Sequence, residues 1–234
     1  MGRERAACIG TAAIGQARAH TPVHLMNNER VTFMARTIGI TGNIACGKTF
    51  VGQVLLELGA ERYIDADALV HQLYESGQPV ALKVSEEFGS EVMSADGGVD
   101  RKALGAVVFQ DADALRRLEC IVHPAVSVLL LDELAQVSEA GIAIIDAVKL
   151  LEAQSGKLCQ SKWLIVCPEE QELVRLMARN SLREEEARAR LHAQAPVEPR
   201  LALVDEVIDN GNTRAETRRQ VAAAFERFIQ KHPA

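Results

Sequence analysis

Aromatic residues are scarce in this chain: six Phe, two Tyr and one Trp make up 4% of its 234 residues. That argues against the stacking platform by which single-stranded nucleic acid is commonly held. Positive charge is not in excess either. Twenty-six Lys and Arg stand against 32 Asp and Glu, a formal net charge of −6. No electrostatic coat for a nucleic-acid backbone is expected, although a local basic pocket for a small phosphorylated ligand stays open. The five cysteines, Cys8, Cys46, Cys120, Cys159 and Cys167, are odd in number and form no C-x-x-C pair. This speaks against a zinc ribbon or a secreted disulfide framework and for a reducing, cytoplasmic setting. Long apolar runs are missing as well: residues 126–131 fall far short of the ~18 that span a bilayer, so no membrane partner is expected. What remains is an ordinary globular mixture, 48% hydrophobic and 25% charged, with chain enough to bury a core unaided.

Residues 1–33 read differently from the rest, with Arg3, Arg5, Arg18 and Arg30 among many Ala and no sustained apolar period. They suit an extension or a misplaced translation start ahead of Met34, with an organelle transit peptide as the alternative. From Thr37 onward strand and helix signals alternate, which points to an α/β fold with a mainly parallel, five-stranded sheet spanning one domain over 34–231. Strands are expected at 37–41, Arg62–Asp65, Ile142–Asp146, 163–167 and Glu206–Asp209. The third and fourth are continuous apolar runs of the fully buried kind. Helical spacing covers 48–58, a segment from Ala68 to Tyr74, 111–135, a long charged stretch over 169–194 and 213–229. The charged stretch offers i,i+4 pairs, Glu184 with Arg188 and Glu186 with Arg190.

One motif carries chemistry. Gly42-Asn43-Ile44-Ala45-Cys46-Gly47-Lys48-Thr49 fits G-x-x-x-x-G-K-S/T between a predicted strand and a predicted helix, the context a P-loop requires. The glycines let the backbone curl so that successive N–H groups face one anion, and the helix that follows adds the positive end of its dipole. Lys48 would then reach the β- and γ-phosphates and the Thr49 hydroxyl would ligate Mg²⁺. Cys46 reads as a small loop filler. The chain has no guanine-reading N-K-x-D element, and Ala147, not Glu, follows Asp146. Transfer to an alcohol or phosphate acceptor is therefore favoured over GTP or motor-type ATP hydrolysis. Asp146 itself is either a Walker-B-like carboxylate or a strand end.

Asp65-Ala66-Asp67 closes the second strand. On an extended segment residues i and i+2 project to one side, so both carboxylates would face the P-loop mouth. A kinase needs a carboxylate to orient the acceptor hydroxyl and take its proton. A helix N-cap explains the same residues equally well, and the residues alone leave the two readings open.

The segment Ile64-Asp65-Ala66-Asp67-Ala68-Leu69-Val70, shortly after this P-loop, resembles the dephospho-coenzyme A kinase family. In the same order follow Phe88-Gly89 with Asp96-Gly97-Gly98-Val99-Asp100-Arg101, Leu118-Glu119 with His123-Pro124, Lys149-Leu150-Leu151-Glu152, and Gln194 with Val207-Ile208-Asp209-Asn210. The likeness runs from Thr37 to about Phe228. It implies transfer of the γ-phosphoryl group of ATP, with Mg²⁺, to the ribose 3′-hydroxyl of dephospho-coenzyme A, the last step of coenzyme A synthesis. It also implies a P-loop nucleotide-binding three-layer core with a helical acceptor-binding region and a helical lid at about 169–194. By position Asp67 would be the base, with Lys48, Asp65 and Arg179 at the reaction centre and Thr49 and Asp65 toward the metal. The P-loop residues, Arg179 and Asn210 would hold ATP, while His71, Phe88, Arg101 and Lys149 would lie on the acceptor side. Arg175 and Arg190 are further candidate phosphate clamps.

The chain departs from the family pattern at several points. His71 stands where many relatives carry Arg, Val148-Lys149 replaces a proline-led version, Gln160 stands where an Asp is frequent, and Arg200 where Lys is usual. Another small-molecule or nucleoside kinase, or a nucleotide-binding module without turnover, is the alternative. A monomer or weak oligomer is expected.

Overall fold

The computed structural model describes residues 35–234; the readings made for residues 1–33 lie outside them. Five strands form one parallel sheet in the order β2-β3-β1-β4-β5. They are β1 (Arg36–Gly42), β2 (Arg62–Asp65), β3 (Ile142–Asp146), β4 (Ser161–Val166) and β5 (Glu206–Asp209). In chain order the helices are α1 (Lys48–Glu57), α2 (Ala66–Leu73), α3 (Pro79–Phe88), α4 (Arg101–Gln110), α5 (Ala112–Leu134), α6 (Glu169–Asn180), α7 (Glu184–His192), α8 (Glu198–Leu201) and α9 (Arg214–Lys231). None is long and apolar enough to cross a membrane among the described residues.

Strand β3 is buried at every position because helices cover both faces of the sheet, which is why no polar alternation marks it. Its side chains still alternate in direction. Ile142 and Ile144 join Ile38, Ile40, Trp163 and Ile165 in a core with α1 and α9, through Val51, Leu55, Val221 and Phe225. Ala143 and Ile145 turn to the other face and pack with Ile64, Leu69, Leu130 and Leu134 from β2, α2 and α5. Each such large apolar side chain contributes about 1.5–3 kcal/mol when fully buried. The strands whose ends carry the candidate site residues are thus held between two apolar cores.

Helices α2 to α5 build a second, helical body around Leu73, Val80, Val84, Leu104, Leu118 and Val122. Helices α3 and α4 were not anticipated from the sequence. Pro79 opens α3 at a position that needs no N–H. The Asp100 carboxylate caps α4 by accepting from Lys102 N and Ala103 N at 2.8 and 3.1 Å. The Asp96-Gly97-Gly98 signature is the turn before that cap, with Asp96 Oδ1 accepting from Gly98 N at 3.0 Å. Helix α5 continues through Pro124.

Two local expectations are corrected. The charged stretch 169–194 is not one helix: Ser181 takes a left-handed conformation, φ 52°, and splits it into the α6–α7 hairpin. Glu184 pairs with Arg188 as expected, at 2.9 Å, but Glu186 turns to Arg183. The Asp-Ala-Asp segment is also not extended throughout. Helix α2 begins at Ala66, because Asp65 Oδ1 accepts from Ala68 N at 2.9 Å, so Asp65 is the N-cap and Asp67 lies in the first helical turn. Gln160, one of the departures, has a structural use: its Oε1 accepts from Thr37 N at 3.1 Å and seals the start of the central strand.

Candidate active site

In parallel sheets ligands bind beyond the carboxyl ends of the strands. There a cavity of about 640 Å³ opens, walled by the P-loop, the ends of β2 and β3, α2, α4 and Arg179. Lys48 and Thr49 enter from the start of α1, Asp65, Asp67 and His71 from the β2–α2 junction, Arg101 from α4 and Asp146 from β3.

The loop between β1 and α1 has its shape for steric reasons. Gly47 has φ +100°, and a Cβ there would lie 1.9 Å from Asn210 Nδ2; at Gly42 a Cβ would lie 2.4 Å from the Ile165 carbonyl oxygen. Only glycine fits either position. The loop is braced from behind. Asn210 Nδ2 donates to the Cys46 carbonyl at 2.8 Å, and Arg175 Nη1 donates to the same carbonyl at 3.4 Å. Arg200 donates to Asn43 Oδ1, and Ile44 N donates to Gln194 Oε1 at 2.6 Å. Glu172, buried against Asn43, has a carboxyl raised above its usual range, chiefly by burial. Ile44 and Ala45 complete the apolar core of the α6–α7 hairpin, against Leu173, Leu176, Ala187 and Leu191. Cys46 is fully buried and its thiol is pushed up to about 11, chiefly by burial, which suits a filler and not a nucleophile.

Lys48 Nζ rests on the carbonyls of Gly42 and Asn43 at 3.1 and 3.3 Å. Asp67 Oδ2 accepts from Val148 N at 3.4 Å. Asp146 is buried, and Tyr63 Oη donates to its Oδ2. Its other oxygen, Oδ1, is buried with no hydrogen-bond partner. Burial is the main reason its carboxyl is raised to about 6; Lys48 and the Tyr63 hydrogen bond hold it down, while Asp65 and Asp67 push it further up. The Tyr63 hydroxyl is likewise raised, by burial first and then by Asp146.

Of the residues singled out in the sequence, Ile44, Ala45, Lys48, Thr49, Asp65, Asp67, His71, Arg101 and Arg179 line this one cavity. Others do not. Asn210 sits behind the loop, its amide taken up by Cys46 and Thr217. Phe88 packs into the helical body under the Arg117 guanidinium, 5.9 Å from its ring centre. Lys149 lines an adjoining groove. Arg175 holds the Cys46 and Asn210 carbonyls, and Arg190 lies exposed outside the cavity. Tyr63 belongs to no motif, although strand alternation puts it on the same side of β2 as Asp65. Nor does any local pattern announce Gln194, Glu172 or the pairing of Arg200 with Asn43, contacts that join segments more than 100 residues apart.

A parallel sheet with a glycine-shaped anion loop after its central strand, and carboxylates at the ends of two neighbouring strands, defines a P-loop kinase fold. The sequence model of the dephospho-CoA kinase family matches residues 36–216. A dephospho-CoA kinase of Geobacter metallireducens is 39% identical over 198 residues, 84% of this chain and 98% of that one. One from Carboxydothermus hydrogenoformans is 37% identical over 196 residues, 83% and 95% of the two chains. Among solved structures, a Thermus thermophilus protein superposes with a TM-score of 0.72 at 31% identity, covering 86% of this chain and 99% of that one. The dephospho-CoA kinase of Campylobacter jejuni gives 0.53 at 27% identity, covering 83% and 98%. The chain belongs to the dephospho-CoA kinase family.

Proposed function

We propose that the protein transfers the γ-phosphoryl group of ATP to the ribose 3′-hydroxyl of dephospho-CoA, the step that completes coenzyme A. The carrying observation is that Lys48, Thr49 and Asp67 line one cavity at the carboxyl end of the sheet. Loop N–H groups, the start of α1 and Lys48 bind the donor phosphates and offset the charge that develops in transfer. Asp67 orients the 3′-hydroxyl and accepts its proton as the oxygen bonds to the γ-phosphorus and the bond to the β,γ-bridging oxygen breaks, releasing ADP.

A magnesium ion suits this donor set. The unpartnered Asp146 Oδ1 and the Thr49 hydroxyl belong to the same cavity. Among the described residues no cluster of three or more His, Cys, Asp or Glu forms a self-sufficient metal site. We assign the carboxylate ligand to Asp146 in place of Asp65, whose Oδ1 caps α2. When bound, the ion would supply charge neutralisation for the donor phosphates. The α6–α7 hairpin acts as the lid and contributes Arg179, so that closure excludes water from a reaction that would otherwise waste ATP. Cys46, Cys159 and Cys167, which form no disulfide among the described residues, are in keeping with a reducing, cytoplasmic location.

Incubation with MgATP and dephospho-CoA should yield 3′-phosphorylated product and ADP in equal amounts, resolved by chromatography. A folded preparation that binds ATP but makes no coenzyme A would refute the proposal.

A further inference from the structure

Three side chains from the start of α6 and from the segment after α7 close on two consecutive residues of the phosphate loop. Glu172 comes from the first turn of α6, Gln194 from just beyond α7 and Arg200 from α8. Gln194 holds Ile44 through its backbone N–H. At Asn43 both ends of the side-chain amide are engaged: its Oδ1 accepts from Arg200 Nη2, and its N–H donates to Glu172. The Asn43 backbone carbonyl is taken up as well, by Cys46 N at 3.3 Å and Lys48 Nζ at 3.3 Å. Asn43 thus links a buried guanidinium and a buried carboxylate to the ammonium of the loop.

Such a pair is a poor way to add stability. Opposite charges taken out of water gain little over apolar side chains of the same volume. Here the cost is higher still, because Arg200 Nε is buried with no hydrogen-bond partner. Burial also raises the Glu172 carboxyl; the Asn43 hydrogen bond, Lys48 and Arg200 hold it down, and Glu169 pushes it up. What the pair does supply is direction. The two ends of an amide differ, one accepting and the other donating, so a donor on one side and an acceptor on the other fix a single rotamer of Asn43.

We propose that Glu172 and Arg200 are positioning residues for Lys48: acting through the Asn43 side chain, they fix the loop peptide whose carbonyl holds the ammonium. A lysine loses much rotamer freedom when it is pinned, and holding it before the nucleotide arrives removes that cost from binding. The inference rests on the nucleotide-binding half of the reading above and not on the identity of the acceptor.

The test is titration calorimetry with the magnesium salt of adenosine 5′-(β,γ-imido)triphosphate, which needs neither turnover nor acceptor. Arg200→Met, Glu172→Leu and Asn43→Ala should each raise Kd by ~10-fold or more, the loss of a hydrogen bond to a charged group. Glu172→Gln, whose amide oxygen still accepts from Asn43, should stay within about threefold of the wild type. In an Asn43→Ala background, Arg200→Met and Glu172→Leu should change Kd by no more than about twofold, because the link they act through is already gone. Effects that add in full to that of Asn43→Ala would show that the pair acts on the fold alone and would overturn the proposal. Asn43→Ala removes the link without removing either charge, so it decides the matter even where a buried-charge variant does not fold: an unchanged Kd there overturns the positioning role. A wild type that does not bind the analogue overturns the kinase reading with it, whereas failure to phosphorylate dephospho-CoA touches only the acceptor assignment.

Discussion

Tyr63 donates its phenolic hydrogen bond to Oδ2 of Asp146 and leaves Oδ1 of the same carboxylate buried and unpartnered. The two residues sit on neighbouring strands, β2 and β3, with Asp65 directly opposite Asp146 in the register. The phenol is wedged over α1: a Cβ on Gly52 would come 2.2 Å from its ring. Tyr63 thus fixes the rotation of a carboxylate toward the nucleotide cavity.

Removing that hydroxyl should be felt at the metal and not at the acceptor. A hydrogen bond to a charged group contributes about 1.5–3 kcal/mol. Tyr63→Phe should therefore weaken Mg²⁺-dependent ATP binding by ~10-fold or more, read by titration calorimetry, while KM for dephospho-CoA stays within about twofold. Equal loss in both would show that the variant had only loosened the fold.

Asp146 should make stability and metal binding respond oppositely to pH. Its carboxyl is raised in the folded protein to about 6 from an ordinary 3.8, so between those values the folded state binds more protons than the unfolded one. Stability from this group is full below the unfolded value and declines as pH rises through the folded one, by about 3 kcal/mol in all. Asp146→Asn should raise the Tm of the ligand-free protein at pH 7.5, with the gain vanishing near pH 4. The affinity of the wild type for MgATP should rise as pH passes through about 6, and the variant should not show that rise.

Asp67 is assigned a role only in the transfer step. Asp67→Asn keeps the capping geometry around it and should lower kcat by about 10²–10⁴-fold. ATP affinity, measured with a non-hydrolysable analogue, should stay within about twofold. Turnover near the wild-type rate would show that another group takes the proton.

The two arginines of α6, Arg175 and Arg179, should separate cleanly. Arg175 is half-buried and ties the Cys46 and Asn210 carbonyls together. Arg175→Ala should lower Tm and raise KM for ATP together, because the loop loses its brace. Arg179 is exposed on the cavity wall, with Asn180 as its hydrogen-bond partner. Arg179→Ala should leave Tm unchanged and reduce kcat by ~10-fold or more, as expected of a cation that acts on charge developing in the transition state.

The sheet and the phosphate loop were legible in the chain because their signals are local. A buried parallel strand needs a short, continuous apolar run such as Ile142–Asp146. An anion loop needs glycines at positions a Cβ would close, and Gly42 and Gly47 stand at those positions. The starts of α3 and α4 rest on single local signals, Pro79 in the first turn and the Asp100 cap, which along the chain look the same as turn residues. The break at Ser181 was missed because a left-handed non-glycine residue has no strong sequence signature.

Residue types and spacing were sufficient to name the P-loop and to bring Asp65 and Asp67 forward as carboxylates at a strand end. Folding sorted those candidates by distance. It set Asp65 to capping α2, moved Asn210 and Arg175 behind the loop, carried Phe88 into the helical body, and turned Asp146 with Tyr63 into the buried carboxylate of the site. No pattern along the chain encodes those outcomes. The capping by Asp65 is local, but each of the others depends on a contact between segments brought together only when both faces of the sheet are covered, and a hydrogen bond such as Tyr63 to Asp146 exists only once that burial has excluded water.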